Sequence, residues 1–225
     1  MCQHRFGCFR WAGHLPFAEK VQSGANTPHS KVMSVVVFKI GGSLLDLPDL
    51  AVRLRQLLAQ LEGHQPLLVC GGGIAADMVR QWHRDFKLSE ERCHWLALEA
   101  IRLNQHLLLE LLPECKLIAT RDTAASAWQR GRVPLLDLVA FVRDEESQLS
   151  VDDHLSHNWN VTSDSLAAWV ARRWHAQRLT LLKSTNLPPT TNWQQAADAG
   201  LVDPHFPQAV KGIPFVEWLN LRYAA

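Results

Sequence analysis

Regular patterning begins at Ser34. Ser34-Val35-Val36-Val37-Phe38-Lys39-Ile40 is a β-branched run and predicts a buried strand, which Gly41-Gly42-Ser43 breaks. Leu50, Leu54, Leu57, Leu58 and Leu61 then fall on one face of a helix that starts near Pro48 and stops at Gly63. Pro66-Leu67-Leu68-Val69-Cys70 predicts a second buried strand. Gly71-Gly72-Gly73 ends it, and a helix follows over 74–82. Ser89 reads as the cap of a longer helix reaching about Leu112, with Glu90 and Glu91 well placed in its first turn.

The second half is less regular. Residues 116–119 predict a short strand. Ala124 to Gln129 reads as a helical turn, and the apolar run Leu135 to Val142 fits either strand or helix. Thr162 or Ser163 caps a helix running to about His175. Arg178 to Lys183 predicts a buried strand, Trp193 to Ala199 a short helix, and Phe215 to Asn220 a last extended segment. Strands alternating with helices predict an α/β fold, a three-layer sandwich around a mainly parallel sheet.

Length and charge narrow the function. The 225 residues contain no Pro/Gly/Ser-rich linker, which predicts one domain over 34–225. With 23 basic and 22 acidic residues the net charge is +1, which argues against nucleic acid or an anionic membrane as partner. No apolar run reaches the roughly 20 residues of a membrane span. The five cysteines fit neither a disulfide framework nor a CxxC metal site, so reduced thiols in a cytoplasm are expected. Residues 1–33 lack periodicity, and we expect a disordered or mis-assigned extension with translation starting at Met33. A Cys2, His4, Cys8 and His14 knuckle does not match zinc-ligand spacing.

Three segments carry candidate chemistry. At Lys39 to Ser43 a strand opens through Gly41 and Gly42 into a helical region. Glycine backbone there can approach phosphate oxygens, and Lys39 adds a full charge, although no Walker A loop is present. Gly71-Gly72-Gly73 repeats the strand–glycine–helix arrangement and suits a second anion. Gly71, Gly73 and Ala76 also satisfy a dinucleotide fingerprint, which keeps an NAD-type binder open. In Asn158-Trp159-Asn160-Val161-Thr162-Ser163-Asp164 polar residues gather before an Ala-rich helix. Asp164 there could stabilise the helix start, hold lysine ammoniums, or approach a magnesium ion.

Taken together and in this order, these segments resemble the amino acid kinase family, over about Ser34 to Asp203. The resemblance implies that Lys39 meets the γ-phosphate of ATP, with Gly41, Gly42 and Ser43 on the nucleotide phosphates and Gly71, Gly72 and Gly73 on the acceptor. It implies that Asp164, in Thr162-Ser163-Asp164-Ser165-Leu166-Ala167-Ala168, organises the catalytic lysines. Lys183 and Lys211 both remain candidates for the second lysine. ATP and Mg²⁺ are the implied cofactors, a phosphate- or carboxylate-bearing small molecule the acceptor, and a homo-oligomer the assembly. The Ser163–Ala171 and Leu181–Ser184 segments look most like a kinase of methanofuran biosynthesis that acts on a phosphate monoester.

Departures from the family pattern are also legible. After the Leu181–Lys183 strand, family members usually read Thr-Asp-x-x-Gly-Val. Here Ser184-Thr185-Asn186-Leu187-Pro188-Pro189 follows, and the C-terminal nucleotide lobe is shortened. A non-catalytic anion-binding member of the fold therefore stays open. Asp152, Asp153, His154 and His157 read as solvated loop residues without a ligand pattern. His83, His94 and His106 read as helix residues covering the core, and Trp159 as a flank for an aromatic substrate.

Overall fold

The computed structural model describes residues 33–150 and 154–223. The expectations for residues 1–32 and for Asp152 and Asp153 lie outside the described residues. The β-branched run forms β1 (Ser34–Ile40). Further strands are β2 (His64–Cys70), β3 (Cys115–Ile118), β4 (Val133–Leu136), β5 (Arg178–Lys183) and β6 (Phe215–Asn220). They make one sheet in the order β3-β4-β2-β1-β5-β6, and every pairing is parallel. Val36 to Ile40 are buried without a break. Successive strand residues face opposite sides, so this burial requires cover on both faces of the sheet.

That cover comes from α1 (Leu50–Leu58), α2 (Gly73–Phe86), α3 (Glu90–Leu111), α4 (Arg121–Gln129), α5 (Leu138–Ser147), α6 (Ser163–Arg173), α7 (Trp193–Asp198) and α8 (Phe206–Ala209). The helix α3 packs on α2 and α5, while α6 lies on β1 and β5 and against α8. The run Leu135 to Val142 is half strand and half helix. Asp137 divides it, its side chain accepting from the Ala140 amide at 3.1 Å as the cap of α5. Between β5 and β6 the chain makes only the short helices α7 and α8, consistent with the shortened lobe read from the sequence.

From β1 the chain moves to β2 on one side, and it later crosses to β5 on the other. The strand order thus reverses between β1 and β5. Parallel α/β sheets bind ligands beyond the carboxyl ends of strands at such a reversal. Lys39 and Lys183 both sit there.

Candidate functional site

Lys39 is the penultimate residue of β1, Lys183 the last of β5, and Asp164 the second residue of α6. The Lys39 Nζ lies 2.9 Å from Asp164 Oδ1, and the Lys183 Nζ lies 2.8 Å from Asp164 Oδ2. Lys183 also donates to the Leu201 carbonyl at 2.8 Å, with the Trp218 ring 5.1 Å from its ammonium. Lys39 is 4% exposed and Asp164 6%. Burial pushes the Asp164 carboxyl up, but the two lysines outweigh it and hold the group below the usual carboxylate range. Burial and the neighbouring Lys39 charge bring Lys183 down to about 8. Two cations and one carboxylate leave a net positive charge, which suits a further anion. Lys183, and not Lys211, meets Asp164; Lys211 is an exposed turn residue.

The two glycine turns touch. A Cβ on Gly42 would sit 2.0 Å from the Gly73 nitrogen, and one on Gly73 would sit 2.6 Å from the Gly42 carbonyl oxygen. Gly73 also has φ of +49°, a conformation that side chains disfavour. Gly41 and Gly71 are explained by packing alone. Their amides bond to the Leu182 and Ile40 carbonyls, and a Cβ on either would collide with that same oxygen. Gly42, Ser43, Gly72 and Gly73 instead line a cleft of about 690 Å³, which α2, α3 and the loop before α6 enclose. The predicted nucleotide and acceptor turns are therefore one continuous backbone surface. Trp159 forms part of the opposite wall, under the Arg80 guanidinium at 4.8 Å.

A family profile described as the amino acid kinase family matches residues 34–186. The chain belongs to the amino acid kinase family. Among solved structures, uridylate kinase from Archaeoglobus fulgidus is 18% identical with a TM-score of 0.54, covering 83% of this chain and 90% of that one. UMP kinase from Ureaplasma parvum is 13% identical with a TM-score of 0.56, covering 83% and 89%. Aspartate kinase from Synechocystis is 14% identical with a TM-score of 0.55, covering 81% of this chain and 38% of that one. At these identities the likeness is one of fold. No curated protein matches the sequence.

In this amino acid kinase member the carboxyl end of β5 is held by contacts with the first glycine turn and the C-terminal segment. Ser184 Oγ lies 2.8 Å from Ser43 Oγ, and Arg222 donates to the Ser43 carbonyl at 2.8 Å and pairs with Asp46. Asn220 donates to the Asn186 side chain at 2.7 Å. The last strand thus ties itself to the first glycine turn. Each Asp164 oxygen lies within ion-pair distance of one lysine, so Asp164 fixes the two lysines relative to each other. Among the described residues no group of three or more His, Cys, Asp or Glu could hold a metal ion. Nor is any described helix long and apolar enough to cross a membrane. Burial pushes the Cys70 thiol, beside the glycines, up to about 12, which leaves it unreactive.

Several supporting residues escaped the sequence reading. Asn104 on α3 is buried and donates to the Gly71 and Gly72 carbonyls at 2.9 and 2.7 Å, pinning the second turn. Asp203 caps α6, accepting from the Thr162 and Ser165 amides at 2.9 and 3.0 Å and from both their hydroxyls. His157 is a correction. It is not a solvated loop residue but is gripped by Glu91 and Glu146, because its ring spans the gap between α3 and α5. His94 does cover the core, and it also lines the cleft.

Proposed function

We propose that this protein is an ATP-dependent phosphotransferase that moves the γ-phosphate to an anionic group, phosphate or carboxylate, of a small metabolite. The observation that carries this reading is Asp164 gripping Lys39 and Lys183 where the strand order reverses. Phosphoryl transfer asks the protein mainly to position reactants and stabilise charge. Lys39 and Lys183 are the catalytic cations of this proposal, with Asp164 fixing their geometry. Gly42 and Ser43 serve the nucleotide phosphates and Gly72 and Gly73 the acceptor in the adjoining cleft, while Gly41 and Gly71, whose amides are bonded to the Leu182 and Ile40 carbonyls, only shape the turns. Mg²⁺ arrives on the ATP phosphates, as this ion commonly does. An acceptor oxygen already anionic needs no general base. A furan-methyl phosphate of methanofuran-type biosynthesis is the acceptor suggested by the Ser163–Ala171 and Leu181–Ser184 segments.

We place the enzyme in the cytoplasm as a homo-oligomer. The oligomer is supported by Ile74, Met78 and Phe86 on α2 and Leu103 and Leu107 on α3, all exposed, with Ile74 at 87%. Light scattering that returns a 25.4 kDa particle at micromolar concentration would remove the oligomer.

A second reading rests on the Arg222 and Ser184 contacts with Ser43 and on the missing Thr-Asp-x-x-Gly-Val. In it the fold is kept as a non-catalytic anion binder. Thermal stability with Mg-ATP, Mg-ADP and NADH at millimolar levels separates these readings from each other and from an NAD-type binder. A ligand at about 100 times its Kd adds roughly 2.7 kcal/mol. The kinase reading expects a shift with Mg-ATP, and loss of phosphoryl transfer on the order of 10²–10³-fold in Lys39→Ala. No nucleotide shift turns the reading to the anion binder, and a shift with NADH alone turns it to the dinucleotide binder.

A further inference from the structure

The loop leading into α6 carries Asn158 and Trp159 on the cleft wall. The His205 amide holds the Asn160 carbonyl, Asp203 holds Thr162 and Val161 is buried in the core, while His157 is the contact that ties the loop to both α3 and α5. The Nδ1 lies 2.7 Å from Glu91 Oε2 on α3, and the Nε2 lies 2.8 Å from Glu146 Oε1 on α5. Carboxylate oxygens only accept. A neutral imidazole has one N–H, so it satisfies one carboxylate and turns a lone pair on the other. Only the imidazolium, with an N–H on each nitrogen, satisfies both.

We infer that His157, as an imidazolium, is the positioning residue that docks the 154–162 wall of the cleft onto α3 and α5. This rests on reading the cleft as the acceptor site, and it makes the shape of that site depend on one proton.

The surroundings of His157 agree. On α3, Glu91 also accepts from the Trp95 indole at 2.8 Å, and the His94 ring stacks on His157 with centroids 4.0 Å apart. On α5, Arg143 lies over Trp95 at 5.2 Å. Within the loop, His154 Nε2 lies 2.9 Å from the Glu146 carbonyl oxygen. From α2, Arg80 and His83 meet Trp159, not His157. Burial pulls the His157 pKa down, but the hydrogen bonds and charges of Glu146 and Glu91 outweigh it, and the net shift is upward. His94 moves the other way, to about 4, through burial and the charge of His157. The stacked pair therefore carries one positive charge, not two. A raised pKa gives stabilisation that is complete below 6.5 and lost as pH rises through the folded value.

Hydrogen–deuterium exchange of segment 154–162, corrected for intrinsic rates, tests this without substrate or nucleotide. From about pH 5.5 to about pH 9 the expected result is a loss of protection on the order of tenfold, with its midpoint above 6.5, while β1 stays protected. Glu91→Gln removes one carboxylate at a position 60% exposed and should move the midpoint toward 6.5 with the fold intact. His157→Gln should exchange fast at every pH. Flat protection across the range, or a step that survives His157→Gln, overturns the inference. Because no nucleotide is present, that outcome is separate from a failure of Mg-ATP to bind.

Discussion

Two charge clusters of this molecule are near mirror images. At the sheet, one carboxylate, Asp164, sits between two ammoniums. Beneath the cleft wall, one imidazole, His157, sits between two carboxylates. The first has surplus positive charge, rests on two strands and a helix start, and is nearly sealed from water. The second has surplus negative charge, spans two helices and a loop, and reaches solvent through Glu91. Buried ions stay charged only when partnered, so the first cluster is organised around a carboxylate held ionised and the second around an imidazole that needs its second proton. One waits for an anion while the other adjusts the wall around it.

The largest effect that tests the contrast is Asp164→Asn. Lys39 and Lys183 would then be buried together without a counter-charge, and breaking a buried ion cluster typically costs about 3–5 kcal/mol. Urea unfolding should show that loss at neutral pH and a partial recovery at alkaline pH, where a buried lysine sheds its proton. A cost under about 1 kcal/mol would mean the cluster is solvated like a surface pair.

The smaller effect is a matter of protons. Lys183 is brought down to about 8, so near pH 8 about half of the molecules lack its charge. This lowered pKa disfavours the charged fold below about 8, and that penalty lifts as pH rises toward 10.5. A bound triphosphate restores the proton. Calorimetry of Mg-ATP binding near pH 8, in buffers of differing ionisation enthalpy, should show uptake on the order of half a proton. Turnover should likewise fall above about pH 8. Absent uptake would leave Lys183 as a structural partner of Asp164 and not a phosphate contact.

Much of the fold was open to a reader of the sequence. The bounds of β1 and β5 coincide with the Ser34–Ile40 and Arg178–Lys183 runs, because buried strands need near-continuous apolar residues, and those of the part-buried edge strand β6 coincide with Phe215–Asn220. The sheet was expected to be mainly parallel and is entirely so. Asp137 was an overlooked signal, since an aspartate inside an apolar run is a natural helix cap. Asn104 and His157 gave none. A buried amide and a clamped imidazole look like any polar residue on a helix or loop until the partner 33 or 66 residues away is known. The glycines were noticed, but their mutual contact was not, because closeness across chain segments has no local signature.

Asp203 carries a consequence for how the protein is made. The start of α6, and with it the placement of Asp164, depends on bonds to a residue 38–41 positions downstream. A ribosome-bound chain that has emerged only through β5 therefore holds both lysines without the aspartate firmly set between them. Chains are built at about 5–20 residues per second, and domains usually finish folding as units. The centre of this protein can thus be completed only once residue 203 has left the exit tunnel and bonded the start of α6.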